Sequence, residues 1–395
     1  MGTDGAPRVV TTLTDGQRQA ARSSAPAVAV VAVGDPRSPG TWSGVTAGIC
    51  GALDELGVTT HALDLTLPPG LEQAALVVAA AGTRNRYDAE GAALTMRLRG
   101  LLARRRLRGM DVDGVIQIGT TVTVPRGVPH VTLEDMTLCQ GATAHPVFSR
   151  MSARGIEGWE KRRAGIYSQT RMCAVASHWA GESLRADYGL PSERIAVVGF
   201  GATHRAHPSD RVWEKPRFLF VGIDWERKGG PLVLRAFARL RREHPDAVLD
   251  VVGGHPPIAE PGVTGHGVLS HGRPRERDVL VGLFARATCL VMPSLVEPFG
   301  IVYVEAGAAG VPSIGSSVGG ASDAIGTDGG LVVDPTDEEA LLAAMLRLAD
   351  GETARRMGEA ARRRSESYTW TGVAERLLRA LGLPAADGRP LAELL

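Results

Sequence analysis

Residues 293–320 read PSLVEPFGIVYVEAGAAGVPSIGSSVGG. The apolar run CLVM (Cys289–Met292) leads in as a buried strand, PSLVEPFG reads as a loop, and IVYVEAGAAG follows as a helix. VPSIG (Val311–Gly315) is then a second strand, and the small residues of Ser316–Asp323 make a further loop rich in backbone donors. Strand, glycine loop, helix, strand is the unit of parallel α/β sheets, which hold ligands at the carboxyl ends of their strands. Two glutamates lie eight positions apart in this unit, Glu297 in the loop and Glu305 in the second turn of the helix. The N–H groups near Phe299, Gly300 and Ile301 open a helix, where free donors and the positive end of the dipole suit a phosphate or sugar hydroxyls. Spacing alone leaves two readings: an acid pair around a ligand, or a helix cap at Glu297 and a solvated helix residue at Glu305.

The same unit recurs outward in both directions. On the C-terminal side of the chain the strands are Phe218–Gly222, Val248–Gly253, Cys289–Met292, Val311–Gly315 and Leu331–Asp334, with helices between most of them. Thr336 and Glu339 form a T-x-x-E capping box before ALLAAMLRLADG, and Gly351 marks the end of that helix. On the N-terminal side the strands are Ala27–Val33, Gly114–Gly119, His130–Asp135, Cys173–Ser177 and Ile195–Gly199. The first of these ends in the Gly/Pro/Ser-rich loop GDPRSPGTWSG and a helix stopped at Gly57. Ser177 reads as an N-cap. The polar, proline-bounded stretch 206–216 suits a linker. This predicts an α/β chain with a flexible leader (1–25), one parallel-sheet domain over 26–206 and a second over 217–369.

At 395 residues, 44% hydrophobic and 22% charged, the chain can bury a large core without staples. A net charge of +1 supplies no global field for nucleic acid or an anionic membrane, so any anion is bound locally. Cys50, Cys139, Cys173 and Cys289 form no C-x-x-C pair and read as buried reduced thiols. No histidine shows a metal-ligand spacing such as H-E-x-x-H. The first residues lack the apolar segment of a signal peptide, and no apolar run approaches the ~20 residues that span a bilayer. A cytoplasmic protein is the expectation.

Arg227 and Lys228 follow the first strand of the second domain, in FVGIDWERKGG. Alone they read as a surface charge cluster. In a parallel sheet, however, the loop carrying them converges with the 293–300 loop on one edge, so cations, a helix N-terminus and two carboxylates can surround one ligand.

These segments, FVGIDWERKGG, the 293–320 stretch with its E-x7-E element, and the terminal YTWTGVAERLL, resemble retaining glycosyltransferase family 4, of GT-B fold, over nearly the whole chain. The resemblance implies two Rossmann-like domains facing across a cleft, with the last helix (371–395) packing back on the first domain. The C-terminal domain would hold a nucleotide-diphosphate sugar and the N-terminal domain the acceptor, with no metal and no cofactor beyond the donor substrate. It places Glu297 by the donor sugar, the Phe299 and Gly300 amides near its hydroxyls, Ile301 in the same helix start, and Glu305 on the ribose hydroxyls. Lys228, with Arg227, would stabilise the departing diphosphate. SPGTWSG matches the glycine-containing loop that approaches the donor phosphates from the opposite domain, with Gly44 as the contact and Trp42 as a wall.

Two departures stand out. Many family members carry a histidine and an aspartate where this chain has Glu134 and Asp135, leaving three roles open for Asp135: orienting the acceptor, acting as base, or capping the next segment. Relatives also often have arginine after the glycine ending the first C-domain strand, whereas Ile223 follows Gly222 here; Arg227 is the candidate replacement. RLRGLLARRRLRG (97–109) would suit anionic lipid, yet its glycines and the near-zero net charge favour a solvated helix or part of an acceptor groove. Two other readings compete. A dinucleotide-dependent oxidoreductase lacks its G-x-G-x-x-G after either first strand, and a binding-only relative of the enzymes is opposed by intact Glu297, Glu305 and Lys228 but kept open by the altered Leu133-Glu134-Asp135 segment and Ile223. The sequence carries no signal for oligomeric state, donor base or acceptor identity beyond a saccharide, a lipid-linked glycan or a secondary metabolite.

Overall fold

The computed structural model describes residues 25–79, 91–125, 127–146, 148, 151–203, 211–270 and 272–395. Its frame is two parallel six-stranded sheets. The first runs in the order β2-β1-β3-β4-β5-β6, with β1 Ala27–Ala32, β2 Thr59–Asp64, β3 Gly114–Ile118, β4 His130–Glu134, β5 Met172–Val175 and β6 Ile195–Val197. The second runs β12-β11-β10-β7-β8-β9, with β7 Arg217–Gly222, β8 Val248–Gly253, β9 Val263–Gly267, β10 Cys289–Val291, β11 Ser313–Ser316 and β12 Gly330–Val333. The chain reverses its direction of travel between β1 and β3 in one sheet and between β7 and β10 in the other. Those are the switch points where crevices open at the strand ends.

The continuous apolar runs became central strands because helices cover both faces. In β1, Val28 and Val30 join the main core while Ala29 and Val31 join a second cluster behind the sheet. β2 and β9 escaped sequence reading: TTHALD and VTGHG are half-exposed edge strands and lack such a run. Residues 1–24 of the predicted leader lie outside the described residues, as do 206–210 of the predicted linker. From Arg211 onward the linker is docked, its guanidinium donating to the carbonyls of Ala309 (2.8 Å) and Gly310 (3.1 Å).

Three local expectations are corrected. The helix Glu338–Ala349 is capped by Asp337, whose carboxylate accepts from the Ala340 N–H, while Thr336 turns back to Asp334 and Glu339 pairs with Arg239. Aspartate one residue nearer the first turn won the capping competition. Gly351 opens the next helix, Gly351–Ser365, because Asp350 caps it. Of the four thiols, Cys139 is only partly buried, with Sγ 3.0 Å from Glu160 Oε1.

The last helix, Trp370–Leu381, is shorter than the expected 371–395 because Gly382 ends it in left-handed backbone, and it lies against helix Val45–Glu55 and the first sheet. Gly48 admits the Trp370 ring, and Arg376 donates to the Val198 carbonyl at 3.0 Å. Among the described residues no helix is long and apolar enough to cross a membrane. The helix Ala93–Leu107 does not present one apolar face against one basic face: Arg99 is buried with Met96 and Ala103, whereas Leu101 is exposed.

Candidate active site

A cavity of about 560 Å³ opens between the two sheets, at the carboxyl ends of β7, β8 and β10. Glu297, Lys228, Arg227, Asp135, Phe299, Gly300, Ile301 and Glu305 all line it. Gly44 does not. It is buried at the start of helix Val45–Glu55 with φ +85°, and its neighbours Ser43 and Val45 form the wall instead.

Glycines bring the two charged loops together across the switch point. Gly229, at φ +82°, sits where a Cβ would collide with the Pro293 carbonyl, and a Cβ at Gly222 would collide with the stem of Lys228. The Leu295 N–H donates to the Arg227 carbonyl at 2.8 Å, locking the loops in register. Lys228 Nζ therefore meets Glu297 Oε2 in an ion pair, and Ser294 Oγ donates to the same carboxylate oxygen at 3.0 Å. Glu297 does not cap the following helix, so its reading as a helix cap falls. Arg227 Nη1 donates to the Val296 carbonyl (3.1 Å) and Nε to Asp224 (3.2 Å), which turns the guanidinium along the cavity rather than out to solvent. Ile223 lines the cavity too, with its side chain largely exposed.

The helix Ile301–Ala308 begins at Gly300, φ +83°, with no side chain capping it. A Cβ at Gly300 would strike the Tyr303 ring, whose hydroxyl is fixed to the Met292 carbonyl at 2.7 Å. The helix start is thus left open toward the cavity, as an anion site requires. Glu305, one turn further, is buried and accepts from the Thr203 N–H of the other domain at 3.3 Å. Burial pushes its pKa up to about 8, partly offset by that hydrogen bond.

In the unfolded chain the Glu305 carboxyl ionises near the ordinary glutamate value, whereas the folded chain retains its proton to about 8. Its contribution to stability is therefore fully present below pH ~4.5 and is lost as pH rises toward 8, by at most ~1.4 kcal/mol per pH unit. Glu305→Gln removes the titration, so its melting temperature, measured against wild type from pH 5 to 8.5, gains on wild type steadily. Parallel curves would show that Glu305 ionises normally in the fold.

The first domain supplies the roof. Ser177 caps helix His178–Ala186 as read from the sequence, and its hydroxyl also donates to the Pro298 carbonyl at 3.2 Å. The His178 N–H donates to Asp323 at 2.6 Å, and the Phe200 and Phe299 rings meet edge-on at 5.3 Å. Sequence reasoning saw Ser177 only as a cap; a contact over 121 positions leaves no local signal. Trp42 and Ser43 both hold left-handed backbone, φ 49° and 53°, a conformation that costs ~1–3 kcal/mol at each non-glycine residue and collects at functional sites. Trp42 so placed lies against Gly119 and separates the cavity from a second one of about 320 Å³ in the first domain. Asp135 also lines both. Burial raises its pKa to about 6. It does not cap the next helix, because Thr137 and Gln140 form that capping box.

Residues 206–364 match the family model described as "Glycosyl transferases group 1". Over 169 residues the chain is 37% identical to the GDP-mannose-dependent alpha-(1-6)-phosphatidylinositol monomannoside mannosyltransferase of Mycolicibacterium smegmatis, covering 38% of this chain and 44% of that protein. Over 230 residues it is 32% identical to the D-inositol 3-phosphate glycosyltransferase of Corynebacterium glutamicum, covering 52% and 55%. The chain thus spans about half the length of the curated relatives it matches. Among solved structures, sucrose-phosphate synthase from Thermosynechococcus elongatus superposes with a TM-score of 0.67 at 19% identity, over 90% of this chain and 98% of that one. That likeness is one of fold, and the fold is GT-B.

Proposed function

We propose that this chain, a GT-B fold whose residues 206–364 form a group 1 glycosyl transferase domain, moves a sugar from a nucleotide diphosphate to an acceptor hydroxyl with retention at the anomeric carbon. One observation carries the reading: Lys228, Glu297, the open helix start at Gly300 and Glu305 line a single cavity between the domains. In it the diphosphate meets the Lys228 ammonium and the helix N-terminus, with Arg227 alongside in place of an arginine after Gly222. Glu305 accepts from the ribose hydroxyls and Glu297 from those of the sugar. The anomeric carbon's bond to the phosphate oxygen breaks while its bond to the acceptor oxygen forms on the same face. The acceptor proton passes to the departing phosphate oxygen, leaving glycosylated acceptor and nucleoside diphosphate. Charge on the leaving group is met by Lys228 and backbone donors, so a divalent ion is not required in this scheme. Asp135, standing where the two cavities adjoin, orients the acceptor hydroxyl.

The test is a thermal-shift screen of UDP-, GDP-, ADP- and dTDP-sugars, followed by nucleoside diphosphate release with cell extract as the source of acceptor. A donor at a hundred times its Kd raises stability by ~2.7 kcal/mol. Product anomeric configuration by NMR tests retention, and undiminished release in EDTA tests metal independence. A donor that binds firmly with no diphosphate released from any extract would favour a binding-only protein.

A further inference from the structure

The second cavity lies at the carboxyl ends of β1, β3 and β4, at the switch point of the first sheet, and adjoins the larger cavity at Trp42 and Asp135. Its floor is Glu134. One oxygen of that carboxylate, Oε2, accepts from Tyr167 at 2.9 Å and is paired with Arg163 at 3.2 Å. The other, Oε1, is buried with no hydrogen-bond partner, and so is the indole Nε1 of Trp159 on the same wall. Both side chains are more than nine-tenths buried. A buried donor and a buried acceptor left open in one cavity are costly unless a ligand completes them.

The charges say which ligand. Arg163 is matched by Glu134 and hydrogen-bonded to Thr120, and Arg99 stands 3.8 Å from Glu72. The Asp135 carboxyl also faces the cavity. Among the described lining residues the guanidiniums of Arg99 and Arg163 are balanced by the carboxylates of Glu134 and Asp135, so no net positive charge draws an entering phosphate, whereas a hydroxyl group both donates to the open Glu134 oxygen and accepts from the indole N–H. The aromatic faces of Trp42, Phe148 and Trp159 suit the apolar side of a small ring.

We propose that Glu134 makes this cavity an acceptor subsite selective for an uncharged polyhydroxylated ring, a sugar or cyclitol unit, over the same ring carrying a phosphate. The inference rests on the glycosyltransferase reading and adds the acceptor class to it.

Calorimetry on the full chain, saturated with whichever nucleoside diphosphate the donor screen selects, tests it. The probes are methyl α-mannoside and myo-inositol against mannose 6-phosphate and myo-inositol 1-phosphate. A neutral probe binds at least tenfold tighter than its phosphorylated partner. Trp159→Phe keeps the ring but loses the N–H, and weakens the neutral probe about three- to tenfold, the size of one neutral hydrogen bond. Glu134→Gln leaves Arg163 without its counter-charge and narrows or reverses the preference. Tighter binding of a phosphorylated probe to wild type overturns the proposal, as does an unchanged preference in a folded Glu134→Gln chain. No binding of any probe while the nucleotide binds also overturns it and leaves the transferase reading standing; failure of every nucleotide to bind removes both.

Discussion

Lys228→Ala lowers turnover about a hundredfold while changing donor affinity much less. The ammonium is held by Glu297 at the switch point, where, on the proposed function, the diphosphate leaving group gathers charge as the glycosidic bond opens. An aligned cation in a water-poor cleft is typically worth ~3 kcal/mol more to that transition state than to the ground state. The single substitution has a second effect, since it leaves the buried Glu297 carboxylate with only the Ser294 hydroxyl. An unpaired buried charge costs ~3–5 kcal/mol, so the variant melts lower as well. The double variant Lys228→Ala/Glu297→Gln isolates the stability effect, because a neutral amide needs no counter-ion: it recovers the melting temperature but remains slow, now lacking both the ammonium and the carboxylate. Stopped-flow or single-turnover release of nucleoside diphosphate, with donor Kd by calorimetry, is the measurement. Near-normal turnover in the single variant would take Lys228 out of the chemistry.

Gly319→Ala has the other large effect, on the position of Glu297 rather than on its charge. Gly319 pairs with Glu297 as a two-residue parallel bridge, flanked by the Glu297 N–H to the Val318 carbonyl (3.0 Å) and the Gly320 N–H to the Glu297 carbonyl (2.8 Å). Its φ is +114°, and an added Cβ would overlap the Glu297 backbone. Backbone cannot swing aside as a side-chain tip does, so the two loops separate and the carboxylate moves with them. A displacement near 1 Å at a reacting centre costs ~100-fold in rate. Gly189→Ala is the control: it shares a positive φ, +66°, but its Cβ enters open space. It loses ~1–2 kcal/mol of stability and keeps its turnover. Equal turnover in the two variants, measured at a temperature where both are folded, would show that the 319 bridge does not position Glu297.

The central strands were legible because burial on both faces demands unbroken apolar runs, and the loops between them because tight approaches demand glycine. β2 and β9 were not legible: an edge strand packs on one side only, and TTHALD or VTGHG looks like a turn. The cap of Glu338–Ala349 was misplaced by one residue since Thr336 and Asp337 are both good caps, and geometry selects between them. Glu305 shows the larger gap. Its place in the E-x7-E element was plain, but burial, which raises its pKa, and the Thr203 hydrogen bond, which partly offsets that rise, depend on packing between residues 102 positions apart.

From its order of residues alone this protein determined two parallel sheets, the loops that end on their carboxyl edges and the identity of the charged groups those loops carry. Those follow from interactions within a few residues: strand periodicity, glycine freedom and the open donors of a helix start. Only the tertiary structure decided that Arg163 is matched by Glu134, that Trp42 divides two cavities, and that Ser177 joins the domains. Charge balance and enclosure are sums over everything nearby in space, and proximity in space is what a linear sequence does not carry.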